Sequence, residues 1–364
     1  MQSTSLQMEN RIKFKDESWD FRNDFTKYSN HGFHTYPAMM IPQVTRRLIQ
    51  MYGKDKEVLL DPFMGSGTAL LEAKLHKNFK KAYGIDINPL ALLISKVKTT
   101  PINPEILREE YNKLISRCNE DKKSVNFKQK EIAKPTFFNI EFWFKPQVTI
   151  DLAIIKQNIE KIKDKDIKDF FLIAFSETVR NVSNTRNREY KLYRMSQSML
   201  EKHNPNTFEE FKSKASKSII GMEEYFKVHN PKCKVNILAE DSRKLTSIPA
   251  NSVDLIVTSP PYGDSRTTVA YGQFSRLGLQ WLDYGKEEVL NIDKVSLGGI
   301  PTKDLHNGLG SPTLKKTLDA ISKIDPHRAK DVLSFYVDFD KCTQELHRIT
   351  KKGAFMCFVV GNRT

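Results

Sequence analysis

Cysteine is scarce in this chain: four residues in 364, at Cys118, Cys233, Cys342 and Cys357, with no Cys-x-x-Cys pair among them. That excludes a zinc knuckle or a disulfide framework, gives no sign of a metal site, and fits a reduced, cytoplasmic setting. Long apolar runs are lacking too. No stretch of about 18 apolar residues occurs, and the opening MQSTSLQMENRIKFKDESWDF has no apolar signal core, so neither membrane spanning nor secretion is expected. Acidic residues are the third shortfall. The 44 Asp and Glu face 58 Lys and Arg, leaving a formal charge of +14. Such a surplus favours a polyanionic partner such as nucleic acid, but by itself suits a lysine-rich solvated surface equally well.

What is present is a β-turn-α-β unit near the N-terminus. Residues 1–30 are polar and mixed. Met40, Val44, Leu48 and Met51 recur at helical spacing, and Pro37 suits the first turn of that helix. The apolar strand Glu57–Leu60 runs into the glycine-rich turn Asp61-Pro-Phe-Met-Gly-Ser-Gly-Thr68, then a helical pattern, then the strand Ala82–Asp86. This order implies a parallel sheet. Strand signatures return at Val235–Leu238, Val253–Val257 and Ala354–Val360, and the stretch Tyr284–Ile324, punctuated by Gly and Pro, is expected to be loop-rich.

Residues 98–234 read differently. Their long helical periods (Leu152, Ile155, Ile159, Ile162) and lack of strand alternation predict a helical insertion, and this segment supplies +8 of the net charge. Three regions follow: 1–97 and 235–364 as two parts of one α/β domain, and 98–234 inserted between them.

The turn at 61–68 is no P-loop, since the Gly-Lys-Ser/Thr ending is absent, and Leu70 stands where the dinucleotide fingerprint has its third glycine. Gly65 and Gly67 nevertheless allow close backbone approach of a ligand, and the following helix offers free N–H groups. Asp86 stands 19 residues after Gly67 at a strand end, suited to accept from ribose hydroxyls. Asn88-Pro89 open the next helix, and Asp241 is expected to end the third strand at the same carboxyl edge. The most specific signal is Thr258-Ser-Pro-Pro-Tyr262 directly after a buried strand. Two prolines hold the backbone extended and remove donors, so carbonyls and the Ser259 hydroxyl face one spot. Tyr262 adds an aromatic face on which an extruded base can stack.

These residues resemble the amino-methyltransferases that modify DNA with S-adenosylmethionine. Asp61–Thr68, Gly84-Ile-Asp-Ile-Asn-Pro89 and Thr258–Tyr262 look like the family's motifs I, II and IV. His31-Gly-Phe-His-Thr-Tyr-Pro37 stands where motif X lines the methionine end of the cofactor, and Glu240-Asp241-Ser242 holds the motif III position. The resemblance covers residues 28–100 and 234–364. It implies a Rossmann-like class I methyltransferase domain. In it Tyr36, Pro37, Asp61, Pro62, Phe63, Gly65, Ser66, Gly67 and Thr68 would shape the cofactor site. Asp86 and Asn88 would lie at the ribose, Asp241 and Ser242 at the adenine. Ser259, Pro260, Pro261 and Tyr262 would hold a base flipped from duplex DNA while the methyl passes directly to its amino nitrogen.

The Ser-Pro-Pro-Tyr form is typical of the cytosine-N4 branch, whereas adenine-N6 enzymes usually carry Asp- or Asn-Pro-Pro-Tyr. Cytosine N4 in a restriction-modification system is therefore the expected target. Adenine N6 or an RNA amino group is the alternative, and a non-catalytic DNA-binding or assembly subunit a further one. Carbon-5 chemistry needs a cysteine after proline, and none of the four follows one. DNA contacts are expected from Arg266, just after the catalytic motif, and from Arg186, Arg188, Lys191 and Arg194, interleaved with Tyr190 and Tyr193. The family fold has seven strands and five are legible, so a second polypeptide or a further C-terminal segment is expected to supply the closing hairpin, with the N-terminal 30 residues as a lesser alternative.

Overall fold

The computed structural model describes residues 16–129, 131–186, 189–264, 269–305 and 309–361. Its scaffold is a sheet of five parallel strands: β1 (Val58–Asp61), β2 (Lys81–Ile85), β3 (Lys234–Leu238), β4 (Val253–Thr258) and β5 (Thr350–Phe358). They lie in the order β3-β2-β1-β4-β5, the Rossmann-like α/β arrangement expected from the sequence. The central strands β1, β2 and β4 are covered on both faces, which is why they read as near-continuous apolar runs. The edge strands β3 and β5 are more open, and Phe355 and Met356 of β5 are exposed.

From β1 the chain steps outward to β2 and β3, then returns to place β4 on the other side of β1. Strand order reverses there, and a crevice opens at the carboxyl ends of β1 and β4, where open α/β sheets bind their ligands.

Helices α1 (Pro42–Tyr52), α2 (Thr68–Leu75) and α3 (Pro89–Thr99) belong to the first half. The helix expected from Pro37 begins instead at Pro42, which fills its first position. Ala38, with φ of 52°, turns the chain out of any helix begun at Pro37. Helix α2 is buried from Thr68 to Lys74, packed under the sheet directly behind the glycine-rich turn.

Between α3 and β3 come α4 (Pro104–Asn126), α5 (Ile140–Trp143), α6 (Pro146–Glu160), α7 (Lys165–Val182), α8 (Gln197–Lys202) and α9 (Thr207–Val228). Asn103, Asp164 and Asn206 cap α4, α7 and α9 by accepting backbone N–H bonds. Their apolar faces do not form a core apart. Phe170, Phe171 and Phe175 of α7 share one cluster with Leu90 and Ile94 of α3. Trp281 meets Phe144 and Phe175 edge-on at 5.6 and 5.9 Å.

After β4 follow α10 (Tyr271–Trp281), α11 (Lys286–Val295), α12 (Pro312–Ser322) and α13 (Pro326–Ile349). The Tyr284–Ile324 stretch thus carries two helices where loops were expected. Two of its Gly and Pro residues stand at helix starts: Gly285 precedes α11, and Ser311 caps α12 with Pro312 at the first position. Among the described residues no helix is long and apolar enough to cross a membrane.

Candidate active site

The turn from β1 to α2 is built by backbone conformation. Gly65 and Gly67 have φ of 47° and 75°, a region that side chains with a Cβ rarely enter. The turn is pinned from several sides. The Met64 N–H donates to the Ile85 carbonyl, the Ser95 hydroxyl donates to the Gly65 carbonyl at 2.9 Å, and Ser242 Oγ donates to the Pro62 carbonyl. A Cβ on Gly65 would stand 3.3 Å from the Tyr36 ring, so ring and turn face each other closely.

Asp86 closes the turn from β2. Its carboxylate accepts from the Gly65 N–H at 3.0 Å and the Asn88 N–H at 2.8 Å. Asn88 is buried and uses its whole amide. Oδ1 caps α3 at the Leu90 N–H, while Nδ2 donates to the Tyr36 hydroxyl at 3.0 Å and to Ser275 Oγ on α10 at 2.8 Å. Asn88 therefore fixes the ring of Tyr36, which also stacks on Tyr271 at 5.8 Å.

Together these elements enclose a cleft of about 970 Å³, open mouth included, at the β1/β4 crevice. Twelve of the thirteen residues assigned to the cofactor from sequence line it: Tyr36, Pro37, Asp61, Pro62, Phe63, Gly65, Ser66, Thr68, Asp86, Asn88, Asp241 and Ser242. Gly67 lies just behind, at the start of α2. Ser259 and Pro261 stand at the same cleft; Pro260 is buried beside it, and Tyr262 turns its hydroxyl to Ser259 Oγ at 2.8 Å. Sequence reasoning missed Ile87, Tyr271, Ile292, Val295 and Leu297, which also line the cleft. Ile87 was signalled by its place beside Asp86. The others come from α10, α11 and the segment after α11, which no local pattern ties to β1.

Asp61 joins the two motif loops. It is buried, and accepts from Thr258 Oγ1 at 2.6 Å and from the Phe63 N–H at 3.1 Å. The last residue of β1 thus fastens the last residue of β4. Asp241 departs from its expected part. β3 ends at Leu238, and the Asp241 carboxylate is gripped by Arg243, with Nε at 3.0 and 2.9 Å and Nη2 at 2.5 Å. An exocyclic amino group reaching Asp241 would meet oxygens already engaged.

The cleft is edged by Asp61, Asp86, Glu240 and Asp241, and by no Lys, Arg or His among the described residues that line it. Such a lining repels phosphates and suits hydroxyl donors and cationic centres. Burial pushes the Asp61 carboxyl up to about 7 and the Asp86 carboxyl up to about 6. The unfolded chain loses these protons near 3.8, so between about pH 4 and 7 the folded protein binds more protons. Stability contributed by the protonated carboxyls is therefore complete below pH 4 and lost as pH rises toward 7. Asp61→Asn should gain stability relative to the parent across that interval and run parallel to it above. Urea titrations at pH 4 to 8 measure this, and a constant difference would place the proton elsewhere.

The thiols are poorly suited to nucleophilic work. Burial pushes Cys118 and Cys342 up to about 12 and Cys233 up to about 11, and raises Cys357 as well.

The basic, aromatic stretch expected to touch DNA folds back on itself, bridging Thr185 to Arg194. It packs on the start of α10, with the Leu192 N–H on Gln273 and the Tyr190 ring 6.1 Å from Phe274. Arg194 lies over the Phe142 ring at 4.3 Å, and Arg186 pairs with Glu189 at 3.3 Å. Lys191 has no ion pair among the described residues. Arg188 and Arg266 lie outside the described residues.

Comparison with known proteins agrees with this architecture. The family described as DNA methylase, of the N6 and N4 type, matches residues 2–97. The type II methyltransferase M.MvaI of Kocuria varians is 42% identical over 373 aligned positions, covering 97% of this chain and 81% of its own length. The type II methyltransferase M.MjaII of Methanocaldococcus jannaschii is 24% identical over 243 positions, covering 49% of this chain and 45% of its own. No solved structure matches. Likeness at 42% identity along almost the whole chain leaves one conclusion: the chain belongs to the type II DNA amino-methyltransferases of restriction-modification systems, enzymes that draw their methyl group from S-adenosylmethionine.

Proposed function

We propose that this chain methylates the N4 amino group of cytosine in duplex DNA. The observation that carries the reading is Ser259-Pro-Pro-Tyr262 at the lip of the carboxylate-edged cleft, with the Ser259 hydroxyl on the cleft itself.

The residues present fit S-adenosylmethionine. Its ribose hydroxyls and cationic groups match a lining of carboxylates without basic side chains. Asp86, held by the Gly65 and Asn88 N–H groups, would take the ribose; Tyr36, Pro37 and the glycine-rich turn would hold the methionine end, and Ser242 and Ile87 the adenine, with the Arg243-bound Asp241 as part of the wall around it. The cofactor supplies an electrophilic methyl group. The protein's part is to present the amino nitrogen, a weak nucleophile because its lone pair is delocalised into the ring. Ser259 Oγ and the Pro260 carbonyl would accept hydrogen bonds from the amino group and favour a pyramidal nitrogen, and Tyr262 would hold the base by stacking. No covalent intermediate is required, in keeping with the raised thiols.

DNA contact falls to the Thr185–Arg194 fold-back, where Arg186, Lys191 and Arg194 lie beside Tyr190 and Tyr193, which are about half exposed. Its seat on α10 sets it next to the element that follows the catalytic loop. Arg188 and Arg266 would join it.

The test is product identity. Unmethylated duplex DNA incubated with the protein and S-adenosylmethionine, then digested to nucleosides, should yield N4-methylcytosine by mass spectrometry. N6-methyladenine without N4-methylcytosine would overturn the cytosine assignment and leave the methyltransferase assignment standing.

A further inference from the structure

The wall of the cleft farthest along the chain is the segment Val295–Leu297 at the end of α11, and two side chains, Arg243 and Asp338, tie it down. Arg243 spans three elements. It grips Asp241, donates through Nη1 to Asp338 Oδ2 on α13 at 2.7 Å, and donates through Nη2 to the Val295 carbonyl at 2.8 Å. Asp338 Oδ2 also accepts the Gly298 N–H at 3.2 Å, fixing the other end of the same segment. Gly298 has φ of 65°, and a Cβ there would stand 3.0 Å from Phe335 Cα and 3.1 Å from Asp264 Cβ. The wall is thus wedged between α13 and the exit of the catalytic loop.

The wall's shape therefore depends on a guanidinium fork that reaches a carboxylate on either side and a backbone carbonyl. A lysine there would offer a point charge without the fork. Asp241 is oriented by the same group, whose own pKa that partner raises above its usual value.

We infer that Arg243, supported by Asp338, is a positioning residue for the nucleoside end of the cofactor, acting by fixing Asp241 and the Val295–Leu297 wall. This rests on the reading that the cleft takes S-adenosylmethionine, and it adds a determinant that no sequence motif marks.

Binding of two ligands by calorimetry tests it: S-adenosylmethionine, and 5′-methylthioadenosine, which keeps the nucleoside and lacks the amino-acid end. Arg243→Ala should weaken both by the same factor, about tenfold or more, the size of a lost charged hydrogen-bond set. Turnover at saturating S-adenosylmethionine should change less than KM. Arg243→Lys should recover only part of the loss. Asp338→Asn keeps the Arg243–Asp241 pair and should weaken both ligands by a smaller common factor, which tests the wall even if Arg243→Ala fails to fold. Unchanged affinities in folded variants, or a loss confined to S-adenosylmethionine, would overturn the inference. Failure of the parent protein to bind either ligand would instead overturn the assignment of the cleft.

Discussion

Ser259→Ala is expected to lower kcat on duplex DNA by about 10²-fold, as loss of one oriented hydrogen-bonding group at a reacting centre does, with little change in melting temperature. Ser259 is partly exposed at the cleft, and among the described residues its hydroxyl bonds to the Tyr262 hydroxyl alone, itself partly exposed. Removing it therefore strands no buried polar group, and the effect should fall on the chemical step. Affinity for S-adenosylmethionine should stay within about twofold, because the ties around the turn at Gly65 and Asp86 do not involve Ser259. Tyr262 supplies an internal comparison. Tyr262→Phe keeps the stacking face and should retain most activity. Tyr262→Ala removes it and should raise KM for DNA, since base–aromatic stacking is worth about 1–3 kcal/mol. Single-turnover methylation of a short duplex measures all three. Ser259→Ala within threefold of the parent would remove Ser259 from the reaction.

The parts of this molecule that were legible in the sequence are those whose chemistry is local. A strand followed by Asp-Pro-Phe-Met-Gly-Ser-Gly has few conformations open to it, so the β1 turn and its positive-φ glycines could be read directly. The same holds for Pro260-Pro261 after β4. Asp241 could be placed at the sheet edge, but the tie that runs through Arg243, two residues on, to Asp338 could not be read, because it crosses 95 residues of chain. Tyr271, Ile292 and Leu297 reach the cleft only because α10 and α11 pack back over the sheet's carboxyl edge, a consequence of tertiary packing that periodicity does not carry. Pro37 misled for a physical reason. A proline suits both a first helical turn and an extended segment, and only the positive φ of Ala38 decides for the second. In Tyr284–Ile324, Gly and Pro were read as loop formers although Gly285 and Pro312 sit at helix starts.

Gly67→Ala should abolish measurable S-adenosylmethionine binding, and Gly67→Val should prevent folding. Gly67 caps α2 in a left-handed conformation, which costs a residue with a Cβ about 1 kcal/mol or more before any contact is counted. The new Cβ would also stand 2.7 Å from Ser95 Oγ, 2.9 Å from Ser95 Cβ and 3.1 Å from Ser95 Cα. Neither side has room to retreat. Ser95 lies on buried α3 and donates to the Gly65 carbonyl, while Gly67 accepts the Leu71 N–H that begins α2. Strain relieved by moving the turn would shift Gly65 away from Asp86 and open the floor of the cleft. The double variant Gly67→Ala/Ser95→Gly separates steric clash from backbone strain. It removes the two closest atoms and leaves the positive φ, so part of the affinity should return, less the cost of a helical glycine, about 1 kcal/mol. Calorimetric titration of the single and double variants measures the difference. Parental affinity in Gly67→Ala alone would show that the turn has slack, and that the cofactor does not depend on the close approach of α3 to Gly67.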